Sequence, residues 1–184
     1  MFVTFTIINT ENKMRKYILL LLLAVCAHVS ADVLDKVKLF KATAQLNGKP
    51  IPMWFNITGD DVVEVGNSKN AAISQYAEGK LIVPSTIVNP TDNRTYKVKR
   101  VANFAFNLCS KLSEVSLEEG LNEIGEHAFV GCNALQTVSM PATITVIGRG
   151  AFMGCKQLHH ADLPQQLTAI EQECFVENRF SNNK

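Results

Sequence analysis

"IGEHAFVGCNALQTVSMPATITV", residues 124–146, returns 23 positions later as "IGRGAFMGCKQLHHADLPQQLTA", residues 147–169. Ile, Gly, Ala, Phe, Gly, Cys, Leu and Pro recur at equivalent places in the two stretches. The interval runs on in both directions. Phe106, Phe129, Phe152 and Phe175 are each 23 residues apart, as are Val101, Ile124, Ile147 and Ile170. Cys109, Cys132 and Cys155 keep the same spacing, and so do Leu112, Leu135 and Leu158. Several columns in one register are the signature of a repeat architecture. The flanking units, "VANFAFNLCSKLSEVSLEEGLNE" at residues 101–123 and the shortened "IEQECFVENRFSNNK" at residues 170–184, follow it less strictly.

Each full unit has two halves. The L-x-x-V/A-x-L/M half suits a short strand with one buried face, with Leu112, Val115 and Leu117 inward and Glu114, Ser116 and Glu118 outward. In the I-G-x-x-A-F-x-G-C half, a single helical or 3₁₀ turn brings Ile124, Ala128 and Phe129 to one side. Gly131 ends that turn and Pro141 breaks the strand. One unit has nothing to cover its apolar face, so the units stack strand on strand, about 4.8 Å per rung. Three and a half rungs give a solenoid of parallel strands roughly 17 Å long. The expected fold is mainly β with short helical or 3₁₀ turns.

The 23-residue pattern I-G-x-x-A-F-x-G-C-x-x-L-x-x-V-x-L-P resembles the BspA-like class of leucine-rich repeats found in bacterial surface proteins, over about residues 98–175. The stretch before it, with "WFNITG", "VEVGN" and "RTYKVKRVANFAF", is similar to the β-rich lead-in of such proteins. The resemblance implies an extracellular or surface-attached solenoid used for protein–protein contact, in several members adhesion to host proteins or to other cells. It implies no catalytic residue and no cofactor. Ala102 and Glu171 stand where the pattern has Gly125 and Gly148, and Leu108 and Glu177 where it has Gly131 and Gly154. Such degeneracy at both ends fits capping units. Cys174 replaces the column's alanine and Asn178 its cysteine.

Three segments follow. Residues 1–31 read as a signal peptide: Arg15 and Lys16 precede the apolar run of residues 17–27, and small residues end at Ala31. Met14 stands directly before the basic pair, where a leader opens, and is the expected start. Cleavage after Ala31 is the favoured processing; its rival is lipidation at Cys26, whose preceding "LAV" is similar to a lipobox, and that anchor would be the chain's one link to a membrane. Residues 32–97 carry short apolar stretches between turn signals and read as four to six strands that cap the repeats. Residues 98–184 are the repeats. Trp54 and Phe55 are expected in the cap's core, and residues 89–95 in an exposed loop.

The whole chain has 18 basic and 17 acidic residues. Without Lys13, Arg15, Lys16 and Glu11 of the leader, a net charge of −1 remains, which argues against a nucleic-acid partner.

Enzyme chemistry finds little support. Cys109, Cys132 and Cys155 fall in one column, where parallel Cβ vectors disfavour a disulfide, and no C-x-x-C pair offers zinc ligands, so they read as buried free thiols. Cys174 reads the same way. His127 occupies a variable slot and is expected to be exposed on the turn. His160 and Asp162 share the outward face of "LHHADL", in columns with Thr137 and Glu114, and with Ser139 and Ser116. Ser139, His160 and Asp162 can be drawn as a hydrolytic triad, but an oxyanion hole is missing. His160, Asp162 and Glu114 make a weak metal cluster at best. "GRGAF" lacks the Gly-Lys-Ser/Thr of a phosphate loop. The expectation is no enzyme, no cofactor and no metal. A protein partner would dock on the concave strand face, through Glu114, Ser116, Glu118, Thr137, Ser139, His160 and Asp162. Phe106, Phe129, Phe152, Phe175, Cys109, Cys132 and Cys155 form the repeat core. The alternative is a structural cap, stalk or fragment of a larger surface array with no ligand of its own.

Overall fold

Each 23-residue unit folds into one rung that contributes two short strands, and equivalent residues of successive rungs pair in parallel. In the computed structural model, residues 38–179 are described. The leader, Met14, Cys26 and the junction after Ala31 lie outside the described residues, as do residues 32–37 and 180–184. In chain order the strands among the described residues are β1 (Leu39–Leu46), β2 (Lys49–Ile57), β3 (Val62–Val65), β4 (Glu78–Val83), β5 (Thr86–Val88), β6 (Thr95–Val101), β7 (Lys111–Leu117), β8 (Glu123–Ile124), β9 (Thr137–Ser139), β10 (Val146–Ile147), β11 (His160–Asp162) and β12 (Ala169–Ile170).

They form one curled sheet in the order β11-β9-β7-β4-β1-β2-β3-β6-β8-β10-β12, with β5 paired to β6 at the side. Two parallel ladders run through the repeats: β4, β7, β9 and β11 make one, and β3, β6, β8, β10 and β12 the other. The hairpin of β1 and β2 joins them, pairing antiparallel with β4 on one side and with β3 on the other. Both ladders therefore reach back to residues 62–83, which supply a rung without the 23-residue pattern.

The turn half of each unit differs from a helical turn. The residues at positions 104, 108, 127, 131, 150, 154, 173 and 177 all have φ between +52° and +73°. Two left-handed residues four apart interrupt any right-handed helix. The backbone N–H groups instead alternate in partner. His127, Phe129 and Gly131 donate to the next rung, at Arg149, Ala151 and Met153, while Ala128, Val130 and Cys132 donate three residues back. Every donor of this buried segment is thereby satisfied within the stack.

The core runs along the stack axis. Phe106, Phe129, Phe152, Ile124, Ile147, Leu112, Leu135 and Leu158 are wholly buried, and so are Cys109, Cys132 and Cys155. Phe175 is half-buried. Leu112, Val115 and Leu117 face inward; the three-residue step from Leu112 to Val115 is absorbed by a bulge against Gly79 and Lys80. In β2 the alternation buries Met53 and Phe55 and turns Trp54 outward, where it is half-exposed with the Lys41 ammonium 4.6 Å above its ring. Trp54 is thus not a core residue, because its neighbours on both sides already face inward. Residues 89–95 form a tight turn around a buried Asn89, whose Oδ1 accepts from the Thr91 N–H.

Candidate functional site

Parallel register sorts the outward residues of the first ladder into two columns. Lys80, Glu114, Thr137 and His160 make one, and Ile82, Ser116, Ser139 and Asp162 the other. Six of the seven residues singled out from sequence therefore lie together, on neighbouring strands about 4.8 Å apart. Glu114, Ser139, His160 and Asp162 are exposed, and Ser116 and Thr137 are half-buried. Glu118 lies just beyond β7, and its carboxylate accepts from the Ser85 N–H at 2.9 Å and the Ser85 hydroxyl at 3.2 Å. It fastens the neighbouring loop rather than joining the columns. Lys80 escaped sequence reasoning because it precedes Glu114 by 34 residues, outside the 23-residue period.

The face carries both signs of charge. Lys80 Nζ stands 3.4 Å from Glu114 Oε2, and His160 Nε2 stands 3.0 Å from Asp162 Oδ1, with all four side chains about half exposed or more. Ion pairs so hydrated contribute little to stability, about 0–1 kcal/mol each. Their groups are open to exchange a neighbour for a partner's side chain. Ser139 pairs with Asp162 across the ladder, yet among the described residues it makes no hydrogen bond to His160, so the three are a row of surface groups and not a relay. Also among the described residues, no three His, Cys, Asp or Glu side chains converge as a metal site. A cavity of about 670 Å³ lies elsewhere, against β1, β2 and β5, lined by Lys41, Pro52, Ile87, Val88, Pro90 and Thr95 among others. It holds no carboxylate or imidazole.

The family model of the BspA type leucine-rich repeat region, a six-copy model, matches residues 92–183, half of the chain. The chain belongs to the BspA-type leucine-rich repeat family. Among solved structures it is similar to a leucine-rich repeat protein from Bacteroides ovatus, with 29% identity and a TM-score of 0.59, over 67% of this chain and 31% of that one. It therefore spans about a third of that protein's length. A leucine-rich repeat protein from Bacteroides capillosus, at 21% identity and a TM-score of 0.57 over 75% of this chain and 93% of that one, shares the fold. Comparison with curated proteins finds no match. BspA-type repeats generally serve protein–protein interaction and are typically not enzymes.

Within this repeat framework the remaining residues with chemical potential are structural. His127 is not exposed on its turn. Its side chain is 18% accessible, its ring lies 5.3 Å from that of Phe104, and its Nδ1 is buried without a hydrogen-bond partner. The cause is backbone conformation: φ of +52° at His127 and +58° at Phe104 directs both side chains along the stack. Cys109, Cys132, Cys155 and Cys174 are free and buried. The Cys132 and Cys155 thiols donate to the carbonyls of Phe106 and Phe129, one rung back, at 3.2 and 3.1 Å. The neighbouring Cys155 thiol, together with burial, drives the Cys132 pKa up. Burial alone pushes Cys109 to about 11, and burial is the main cause that takes Cys174 to about 12. Protonated thiols of this kind are poor nucleophiles.

On the second ladder, Arg100 bridges Glu64 at 2.8 Å and Glu123 at 2.7 Å, and also reaches Asn103 Oδ1. Burial opposes its charge, but the hydrogen bonds to Glu123 and Glu64 outweigh it and raise its pKa. This network binds three rungs together.

Proposed function

We propose that this chain is an exported BspA-type repeat module that binds a protein partner across the outward face of its first ladder. The observation that carries the reading is the alignment of Glu114, Ser116, Thr137, Ser139, His160 and Asp162 in two polar columns on adjacent strands. Glu118 sits at the rim. Exposed donors, acceptors and charges of both signs, presented on a rigid ladder, give specificity through complementarity rather than through a pocket. The leader read from residues 1–31 supports export, with cleavage after Ala31 or lipid anchoring at Cys26 as the two routes to the cell exterior. Adhesion to a host or other cell-surface protein is the partner class the family suggests. A specific interface needs about 800 Å² per partner, which would engage most of this face.

The test is capture of a partner by the purified chain, followed by replacement of Glu114, His160 and Asp162 together by alanine. Loss of capture with an unchanged melting transition supports the reading, and capture at full strength sinks it. A second reading, a structural cap or stalk within a larger surface array, draws on the β1–β2 hairpin that closes one end of both ladders. Under that reading the triple variant changes nothing, and deletion of the hairpin disrupts assembly instead.

A further inference from the structure

Among the described residues no pairing joins β1 to β5, although the two border one cavity. β1 pairs with β2 along its whole length, but with β4 only at Gln45 to Ile82 and Leu46 to Leu81. Extended by four residues, that register would set Thr43 opposite Pro84 and Lys41 opposite Thr86. Proline has no N–H to give Thr43, so the ladder stops there. The chain beyond Pro84 turns to β6 instead, where Val98 N–H donates to Ser85 O at 2.8 Å and Asn89 N–H to Arg94 O at 2.9 Å. The cavity of about 670 Å³ lies in the resulting gap, with residues 41–43 on one wall and residues 86–88 on the other.

Both walls present unpaired backbone. In β5, Ser85 and Asn89 turn to β6, so Thr86 and Val88 turn their N–H and C=O to the gap. In β1, Lys41 lies opposite Trp54, whose N–H donates to Ala72 and whose C=O accepts from Gly66. Lys41 and Trp54 are therefore a non-hydrogen-bonded pair, and Lys41 and Thr43 face the gap as well. Among the described residues none of these four has a backbone partner on that side. The floor is apolar: Ala42, Ile51 and Ile87 line the cavity and pack on the core. No carboxylate lines it, and the Lys41 ammonium is held 4.6 Å over the Trp54 ring. Two facing edges of peptide groups above an uncharged floor match an extended peptide, whose main chain pairs with the edges while alternate side chains meet the floor. A small apolar molecule would displace water from those groups without replacing its hydrogen bonds.

We propose that the gap between β1 and β5 takes up an extended, uncharged segment of a protein partner as an added strand, with small apolar side chains on the floor. β1 and β5 run antiparallel to each other, so the segment is antiparallel to one wall and parallel to the other. It completes a ring of β1, β2, β3, β6 and β5 and leaves neither wall as a free edge. The site shares no residue with the polar columns of the first ladder and stands independently of them.

Amide hydrogen exchange of the purified chain, read by NMR, tests it with one probe: a blocked peptide of alternating valine and threonine, with a lysine at each end for solubility. The amides of Lys41, Thr43, Thr86 and Val88 should exchange freely in the chain alone and slow about tenfold or more at saturating peptide. The same peptide methylated on alternate backbone nitrogens should bind about tenfold or more weakly, since it cannot donate to one wall. Thr86→Pro removes an N–H that faces the gap without touching the β5–β6 ladder, and should weaken the native peptide about fivefold or more. Alanine at Glu114, His160 and Asp162 together should leave peptide binding unchanged, which separates this site from partner capture on the outward face. No protection at millimolar peptide overturns the proposal. So does equal binding of the methylated peptide, which would mark the cavity as a site for small apolar molecules. Protection of these amides without peptide also overturns it, because the gap would then be filled by this chain or by a second copy. Should Thr86→Pro fail to fold, the methylated peptide alone decides.

Discussion

The rings of Phe129 and Phe152 stack 5.2 Å apart with their planes 3° from parallel. The stack continues to Phe106 at 4.9 Å and to Phe175 at 5.5 Å, so one aromatic column threads the rungs. Each inner ring loses two ring contacts and a filled volume when truncated. Phe152→Ala should cost about 3–5 kcal/mol, comparable to the stability of a small domain. Phe175→Ala should cost clearly less, since that ring is only half-buried. Urea unfolding of the two variants measures the difference.

Gly150 follows His127 by one rung and has φ of +56°. A Cβ there would meet both a left-handed backbone and the His127 ring. Gly150→Ala should destabilise by about 1–3 kcal/mol. In a His127→Ala background the penalty should shrink to the backbone part, near 1 kcal/mol. A double-mutant cycle on thermal or chemical unfolding separates the two contributions.

Arg100 neutralises Glu64, whose side chain is 11% accessible. Arg100→Ala leaves that carboxylate buried without its counter-charge and should cost about 2–4 kcal/mol. Adding Glu64→Gln should return part of the loss, because a neutral amide tolerates the site better. By contrast, alanine at Glu114, His160 or Asp162 should change stability by no more than about 0.5 kcal/mol, as expected for exposed positions. Equilibrium unfolding at one pH compares all of these.

Thiol ionisation gives a pH dependence. The ordinary cysteine value is 9.0, and burial pushes Cys109 to about 11 in the folded chain. Below pH 9 both folded and unfolded thiols stay protonated. Between about 9 and 11 the unfolded chain releases its proton while the folded chain retains it, so stability should fall as pH rises through that window. Cys109, Cys132, Cys155 and Cys174 should resist a thiol reagent at pH 8 in the native chain and react in guanidinium, as mass mapping would record. Fast labelling of Cys132 in the folded chain would contradict its burial.

Much of the fold was legible because a period of 23 residues repeats local choices. The Phe, Ile, Leu and Cys columns, the inward set of Leu112, Val115 and Leu117, and the grouping of Glu114, Thr137 and His160 all follow from one register. Features that depend on single backbone conformations were less legible. His127 looked like a free surface slot because its neighbours in the column are Phe104, Gly150 and Glu173; what those residues share is a positive φ, which residue type does not spell out. Lys80 and the rung formed by β3 and β4 were hidden because their spacing to the next rung is not 23.

The sequence by itself determined the repeat, its phase, its buried columns and the polar composition of one strand face, since each is set by neighbours within a unit and by covering one apolar surface with the next. Tertiary structure alone decided how the repeats join the strands that precede them. The β1–β2 hairpin ties two ladders into one sheet through pairings between distant residues, a property of contacts and not of the residues themselves.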